Sequence, residues 1–326
     1  MNYTRRFVHV AVLATLASVA VPALAQSQSA WPNKPVHFIT PYPPGGSSDA
    51  ITRFIADGVS RVLGQPVVVE NKPGAAATMG TDYASRQAPD GYSFLVAPTA
   101  AVALAPYLLK TVKYTHQNFE PVAKLASSYG LVTARKDAPF SDYKGMIAYA
   151  KANPGKLTFA TNGVGSIVHL TGVLLHKETG VQLVHVPYKG AAESTIDLMG
   201  GRIDLMYDPA TAARVKAGEL KGLATNSGIR NPELPDVPTL KEQGFGDGSS
   251  FSWFAIFAPK GTPQPIVQRM AEAVRQVLDA PEVKKQLQLS ALYPNYEDPA
   301  TFAKSLKRDA ELLQKVVKDE GLKIEQ

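Results

Sequence analysis

Two periodicities share this chain. Short, nearly uninterrupted apolar runs occur at Val36 to Thr40, Val67 to Val69, Phe94 to Val96, Leu157 to Thr161, Leu183 to Val186, Ile203 to Met206 and Phe254 to Phe257. Such runs read as strands covered on both faces. Between them, apolar residues return every three or four positions, the spacing of one helix face. The clearest case is the stripe Ile51, Phe54, Ile55, Val59, Val62 and Leu63. Further helices are predicted at 78–86, 142–152, 166–180, 193–200, 211–217, 264–279, 282–289 and 300–318, with proline near the first turn of the last three. Alternation of strand and helix argues for an α/β fold with parallel sheets.

One local design occurs twice. Phe38-Ile39-Thr40 runs into Gly45-Gly46-Ser47 and a helix; Phe159-Ala160-Thr161 runs into Gly163-Val164-Gly165-Ser166 and a helix. Gly45 and Gly46 carry no Cβ to hold a ligand off the backbone. Serine suits a helix N-cap, and the bare amides of a helix start suit an anion. If the two starts sit in separate lobes, they face one cleft from opposite sides. Each then contributes about 0.3–1 kcal/mol to an exposed anion. The pattern offers a place to hold an anion and no group to transform one.

The first residues change the compartment. Arg5 and Arg6 precede an apolar stretch, Val8 to Val21, and Ala23-Leu24-Ala25 forms a small-x-small cleavage site before Gln26. The stretch is shorter than the ~20 residues of a membrane span, so residues 1–25 are expected to be a cleaved export signal and the product periplasmic. The chain of 326 residues carries a formal charge of +6; losing Arg5 and Arg6 lowers it to +4. Its Lys and Arg residues are dispersed and form no stripe of the kind nucleic-acid binding needs. Cysteine is absent, which excludes disulfides, thiolate metal sites and a lipidated cysteine.

Catalytic motifs do not fill the gap. Asn162 to Gly165 follows a strand and opens a helix, but a dinucleotide fingerprint needs a third glycine where Val168 stands, and no acidic residue ends a strand about 20 residues on. No Gly-x-Ser-x-Gly elbow occurs, and Ser47, Ser48 and Ser166 read as helix caps. His169 and His176 are seven apart, about 10.5 Å along a helix axis, too far to share a metal. His37 and His185 fall in strands and read as hydrogen-bonded core or edge residues, whereas His169 reaches a cleft or serves the fold. Asp49 sits in a first helical turn, where capping is its expected role. Asp208 ends a strand at the carboxyl edge where α/β sheets place ligands, and either accepts from a ligand or braces a loop. Tyr188 and Lys189 follow another strand at the same edge, Lys189 reading as a surface charge.

In order along the chain come Trp31-Pro32, Lys34-Pro35, Pro43-Pro44-Gly45-Gly46-Ser47-Ser48-Asp49, Val69-Glu70-Asn71-Lys72-Pro73-Gly74-Ala75 and Pro89-Asp90-Gly91-Tyr92. Then follow Asn162 to His169, His185-Val186-Pro187-Tyr188-Lys189-Gly190 and Leu234-Pro235-Asp236-Val237-Pro238-Thr239. This series resembles the Bug family of extracytoplasmic solute receptors, the binding subunits of tripartite tricarboxylate transporters, over nearly the whole exported chain.

The resemblance implies a two-lobed periplasmic-binding-protein fold of type II with a ligand cleft between the lobes. Lobe 1 is expected to comprise residues 26–128 plus 253–326 and lobe 2 residues 129–252, with crossings near Ser127 to Leu131 and Ser250 to Phe254. It implies no catalysis, no cofactor and no metal. The ligand would be a small carboxylate: a di- or tricarboxylate, an acidic amino acid or an aromatic acid. The partner would be a membrane permease, and the receptor a monomer. The binding residues carried over are Tyr42, Pro43, Gly45, Gly46, Ser47, Asp49, Ala75, Thr99, Asn162, Gly165, Ser166, His169, Tyr188 and Asp208. Ile167 and Val168 are apolar where small or polar residues are common in the family, which points toward a more apolar acid. The rival readings are a ligand-sensing receptor for a signalling partner and an exported α/β hydrolase.

Overall fold

The computed structural model describes residues 31–322 apart from 46, 189, 247–251 and 290. The targeting segment, Gly46, Lys189 and the side chain of Ser47 lie outside the described residues. In chain order the strands are β1 (Val36–Thr40), β2 (Val67–Asn71), β3 (Ser93–Pro98), β4 (Phe119–Ser128), β5 (Leu131–Arg135), β6 (Thr158–Thr161), β7 (Val184–Pro187), β8 (Leu205–Met206), β9 (Leu220–Thr225), β10 (Trp253–Pro259) and β11 (Leu292–Glu297). The α-helices are α1 (Ser47–Leu63), α2 (Thr78–Ser85), α3 (Ala105–Leu108), α4 (Tyr143–Ala152), α5 (Ile167–Thr179), α6 (Ala191–Met199), α7 (Ala212–Lys216), α8 (Gln264–Asp279), α9 (Pro281–Leu289) and α10 (Pro299–Asp319).

The strands form two sheets, one of six strands in the order β11-β4-β10-β3-β1-β2 and one of five in the order β7-β6-β8-β5-β9. Each is the centre of one lobe. The chain passes from the first sheet to the second between β4 and β5, and returns before β10. Both sheets are mixed, not purely parallel. β1 pairs in parallel with β2 and β3, and β6 with β7 and β8, as strand–helix–strand units require. β10 runs antiparallel to β3 and β4, and β5 antiparallel to β8 and β9. These reversed strands flank the crossings: β4 leaves the first sheet and β10 re-enters it from the other lobe.

The apolar runs have the predicted cause. In β1, Phe38 faces a cluster with Ile55, Val59, Phe94, Ile256, Met270 and Val274, while Ile39 faces a second with Leu95, Trp253, Phe257, Phe302 and Leu306. Successive strand residues point to opposite faces, so a strand covered on both sides needs apolar residues at nearly every position. α1 and α8 cover the first face. A Cβ on Gly58 of α1 would lie 2.6 Å from a methyl of Val277, so the two helices meet backbone to side chain there. α10 covers the second face with Phe302, Leu306, Ala310, Leu313 and Val317, after Asp298 accepts the Ala300 and Thr301 amides as its cap.

The second sheet packs Phe159, Leu205 and Leu223 against Tyr143 and Met146 of α4. Its helix α5 also touches the other lobe. Leu170 joins the first lobe's core with Ile167, Val173 and Leu174 beside it, and Lys177 Nζ lies 3.3 Å from Asp319 and 3.0 Å from Glu320 at the end of α10.

Candidate functional site

The first lobe offers the turn between β1 and α1. Asp49, buried in the first turn, accepts the Gly45 amide (2.9 Å) and Arg53 Nε (3.0 Å) at Oδ2, and Asn71 Nδ2 (2.8 Å) at Oδ1. Arg53 holds its carboxyl down to about 2, helped by Gly45 and Asn71 against the opposing effect of burial. Asn71 also donates to the Tyr42 carbonyl at 3.0 Å. Asp49 is thus the brace of this loop, drawing Gly45 and, through Asn71, Tyr42 around one carboxylate. The Gly45 amide is committed inward, because a buried carboxylate needs donors. The expectation that this amide faces a ligand does not fit its bonding here.

Around that turn, Tyr42 is half-buried against the Ile39 side of the core, and burial raises its phenol. Pro43 is exposed. Ala75 begins a run of three left-handed alanines, φ 44°, 51° and 76° at Ala75, Ala76 and Ala77, which leads into α2. Thr99 is buried, its hydroxyl accepting the Trp253 amide at 3.0 Å. It joins the end of β3 to the start of β10.

In the second lobe, the turn after β6 is built around its own donors. Ser166 caps α5, accepting the His169 amide at 3.2 Å, while the Gly165 amide donates back to His169 Nδ1 at 3.1 Å. His169 is therefore a buried brace, with its ring stacked on His185 at 4.1 Å between centroids. His176 donates to or accepts from Tyr207 at 2.8 Å, and His185 bonds Thr161 at 2.6 Å. Burial lowers all three imidazoles, His176 and His185 to about 4. Among the described residues no group of three His, Cys, Asp or Glu side chains could hold a metal.

At the edge of the same sheet, Asp208 accepts Asn162 Nδ2 at 2.7 Å and the Ala210 amide at 2.8 Å. It braces a loop and orients Asn162, which is exposed. Tyr188 points instead to Asp197 at 2.7 Å, and its phenol is raised to about 12 by burial and that carboxylate.

The lobes meet over a cavity of about 220 Å³. Ser128 and Gly130 reach it from the first crossing, Ser252 from the second, Ile167, Val168 and Thr171 from α5, and Asp208 and Asn226 from the strand ends of lobe 2. The α5 side is a helix start whose leading amides have no partner within the helix.

The family profile described as tripartite tricarboxylate transporter family receptor matches residues 51–322. The chain belongs to this receptor family. Its members are periplasmic solute-binding proteins, not enzymes. The protein BugT from Bordetella pertussis is 30% identical over 99% of this chain and all of its own. A TctC solute-binding protein from Polaromonas, solved without ligand, is 29% identical, covers 89% of this chain and 99% of its own, and overlays with a TM-score of 0.81. MatC from Rhodopseudomonas palustris, solved with bound malate, is also 29% identical, covers 88% and 99%, and overlays at 0.64.

Three residues to which the sequence reading gave no role support these loops. Arg53 and Asn71 lock the first loop, and Asn226 lines the cavity where the lobes meet. Arg53 was legible as a position one turn beyond Asp49, the spacing at which a carboxylate and a guanidinium pair. Asn226 had no such local signal.

Proposed function

We propose that this receptor captures a small carboxylate between its lobes and delivers it to the membrane permease of a tripartite tricarboxylate transporter. One observation carries the reading. Ile167, at the start of α5, packs against the first-lobe core that Tyr42 also borders, which supports a binding site between the second-lobe turn and the first lobe. The anion would be held by oriented amides and hydroxyls, with bridging waters completing the shell at little energetic penalty.

The relatives support the same reading. Rpa4515 was solved with adipate and MatC with malate, both small dicarboxylates. The residues proposed to line the cleft are the 42–49 turn, Ala75, Thr99, Asn162 to His169, Tyr188 and Asp208, with Asp49, His169 and Thr99 acting as acceptors for backbone donors. The lobes are proposed to divide at 128/129 and 252/253, and the export signal to be cut after Ala25.

The test is a thermal-shift screen of the exported chain against a carboxylic-acid panel, followed by calorimetry on the best acid and its methyl ester. Ligand at 100-fold excess over its dissociation constant adds about 2.7 kcal/mol of stability. The free acid should bind far more tightly than the ester, because oriented dipoles select charge. Equal affinity for both would overturn the electrostatic account.

A further inference from the structure

Asp208 is the one formal charge among the described residues that line the cavity between the lobes. It is only 7% exposed, and its oxygens accept Asn162 Nδ2 at 2.7 Å and the Ala210 amide at 2.8 Å. Both donors are neutral. Among the described residues no lysine, arginine or histidine pairs with it, whereas Asp49, the buried carboxylate of the first-lobe turn, has Arg53 at 3.0 Å. Two amides use part of a carboxylate's capacity, which is about four acceptor sites, and they do not cancel its charge. A buried ion without a counter-charge is costly, and more so once a ligand displaces water from around it.

A second group in the cavity is also unused. Thr171 of α5 lines it, is 6% exposed, and makes no hydrogen bond through its hydroxyl with any described residue. The unbonded side-chain oxygens that are fully enclosed belong to Thr40, Tyr143 and Asn226, so the Thr171 hydroxyl stays accessible from the cavity it lines. In a space of about 220 Å³, one small ligand reaches both groups. An anion placed here would face Asp208 with no cation between them. A neutral donor would add one more hydrogen bond and leave the charge uncancelled. An ammonium cancels it, and its three N–H bonds suit the remaining acceptor sites of Asp208 and the Thr171 oxygen.

We propose that Asp208 is the counter-ion for an ammonium group on the bound acid, so that this receptor selects amino acids over the same acids without the amine. The inference rests on the carboxylate-binding function proposed above. The carboxylate of such a zwitterion is the part read by the glycine–serine turns; the ammonium is the part read at Asp208. Selectivity then resides in a side chain that also braces its own loop through Ala210.

The experiment is calorimetry with four pairs of acids differing by one amine: aspartate and succinate, glutamate and glutarate, 4-aminobutyrate and butyrate, phenylalanine and 3-phenylpropionate, with both enantiomers of each chiral acid. The wild type should prefer the amine-bearing member of the skeleton it binds by about tenfold or more, as a charged hydrogen bond provides. Asp208→Asn keeps the volume and an oxygen for the Ala210 amide but removes the charge, and should bring the ratio to about threefold or less by weakening the amine-bearing member. Thr171→Val removes the hydroxyl at nearly constant volume; it should lower the ratio as well and supplies the reading if Asp208→Asn does not fold. A wild type that binds both members equally, or that binds other carboxylic acids but none of the amine-bearing ones, would overturn the inference alone. So would a preference that survives in Asp208→Asn. Failure of every acid to bind, with and without the amine, would overturn the carboxylate function and this inference with it.

Discussion

The indole Nε1 of Trp253 donates to Asp309 Oδ2 at 2.9 Å, joining the first residue of β10 to the middle of α10. Both side chains are buried. Trp253 is where the chain re-enters the first lobe, and its backbone is held by the Thr99 hydroxyl. The same helix α10 ends against Lys177 of α5. The returning strand is thus anchored to the helix that contacts the opposite lobe.

Asp309→Leu would leave the indole N–H without an acceptor inside the core. The expected loss is about 1–3 kcal/mol of unfolding free energy, measured by urea denaturation. Asp309→Asn keeps an acceptor oxygen and should lose much less. Equal losses in the two variants would show that charge, not the hydrogen bond, sets the cost.

The alanine run before α2 should be strained. L-residues in the left-handed region cost about 1–2 kcal/mol each, whereas glycine enters it freely. Ala76 is exposed with φ 51°, so replacing its methyl removes no core contact. Ala76→Gly should stabilise the protein by about 0.5–1 kcal/mol, after allowing for the greater freedom of glycine in the unfolded chain. A destabilised variant would mean that the methyl makes contacts worth more than the strain.

Much of this architecture was legible because local pattern and tertiary role coincide. β1 and β3 are covered on both faces, so their sequences are apolar throughout; α8 and α10 are covered on one face and show it as a stripe. β4 and β11 lacked that advantage. β4 buries Lys124, whose partner Glu297 lies 173 residues away at 2.9 Å, and β11 includes Pro294 beside half-buried polar residues. Their pairing, not their composition, makes them strands. The site divides similarly. The glycine–serine turns announced themselves, but the Asp49 carboxylate that draws in the Gly45 amide is also held by Asn71 on β2, and the Asn226 backbone amide bonds Gly130 in the first crossing. Neither partnership leaves a mark in a short window of sequence.

The histidine cluster around Phe159 should make stability fall on mild acidification. His176 and His185 are depressed to about 4 and His169 is depressed as well. Above pH 6.5, both folded and unfolded chains keep these rings neutral. Between about 6.5 and 4 the unfolded chain binds protons that the folded one refuses, so stability declines as pH falls through this window. Asp49, held at about 2, acts lower: its contribution is intact above its ordinary carboxylate range and is lost as pH falls toward 2. Urea midpoints from pH 7.5 to 4.5 should therefore drop in wild type and drop less in His176→Gln. A flat wild-type profile would mean that the cluster opens to water without unfolding.

Closure itself should depend on ligand more than on the ion pairs already present between the lobes. Lys177 and its partners Asp319 and Glu320 are solvent-accessible, and such pairs contribute only about 0–1 kcal/mol. Lys177→Ala should therefore leave stability and ligand affinity nearly unchanged. The ligand favours the closed form only by its differential affinity for it, and that requires both turns. Small-angle scattering with and without the best carboxylate should show wild type contracting. Ser166→Trp loses the α5 cap, at about 0.5–2 kcal/mol, and places an indole at the second-lobe turn. It should remain folded, bind weakly through the first lobe and fail to contract. Full contraction in Ser166→Trp would remove the 162–169 turn from the cleft, and tight binding by wild type at unchanged radius would mean that the ligand selects a cleft already closed.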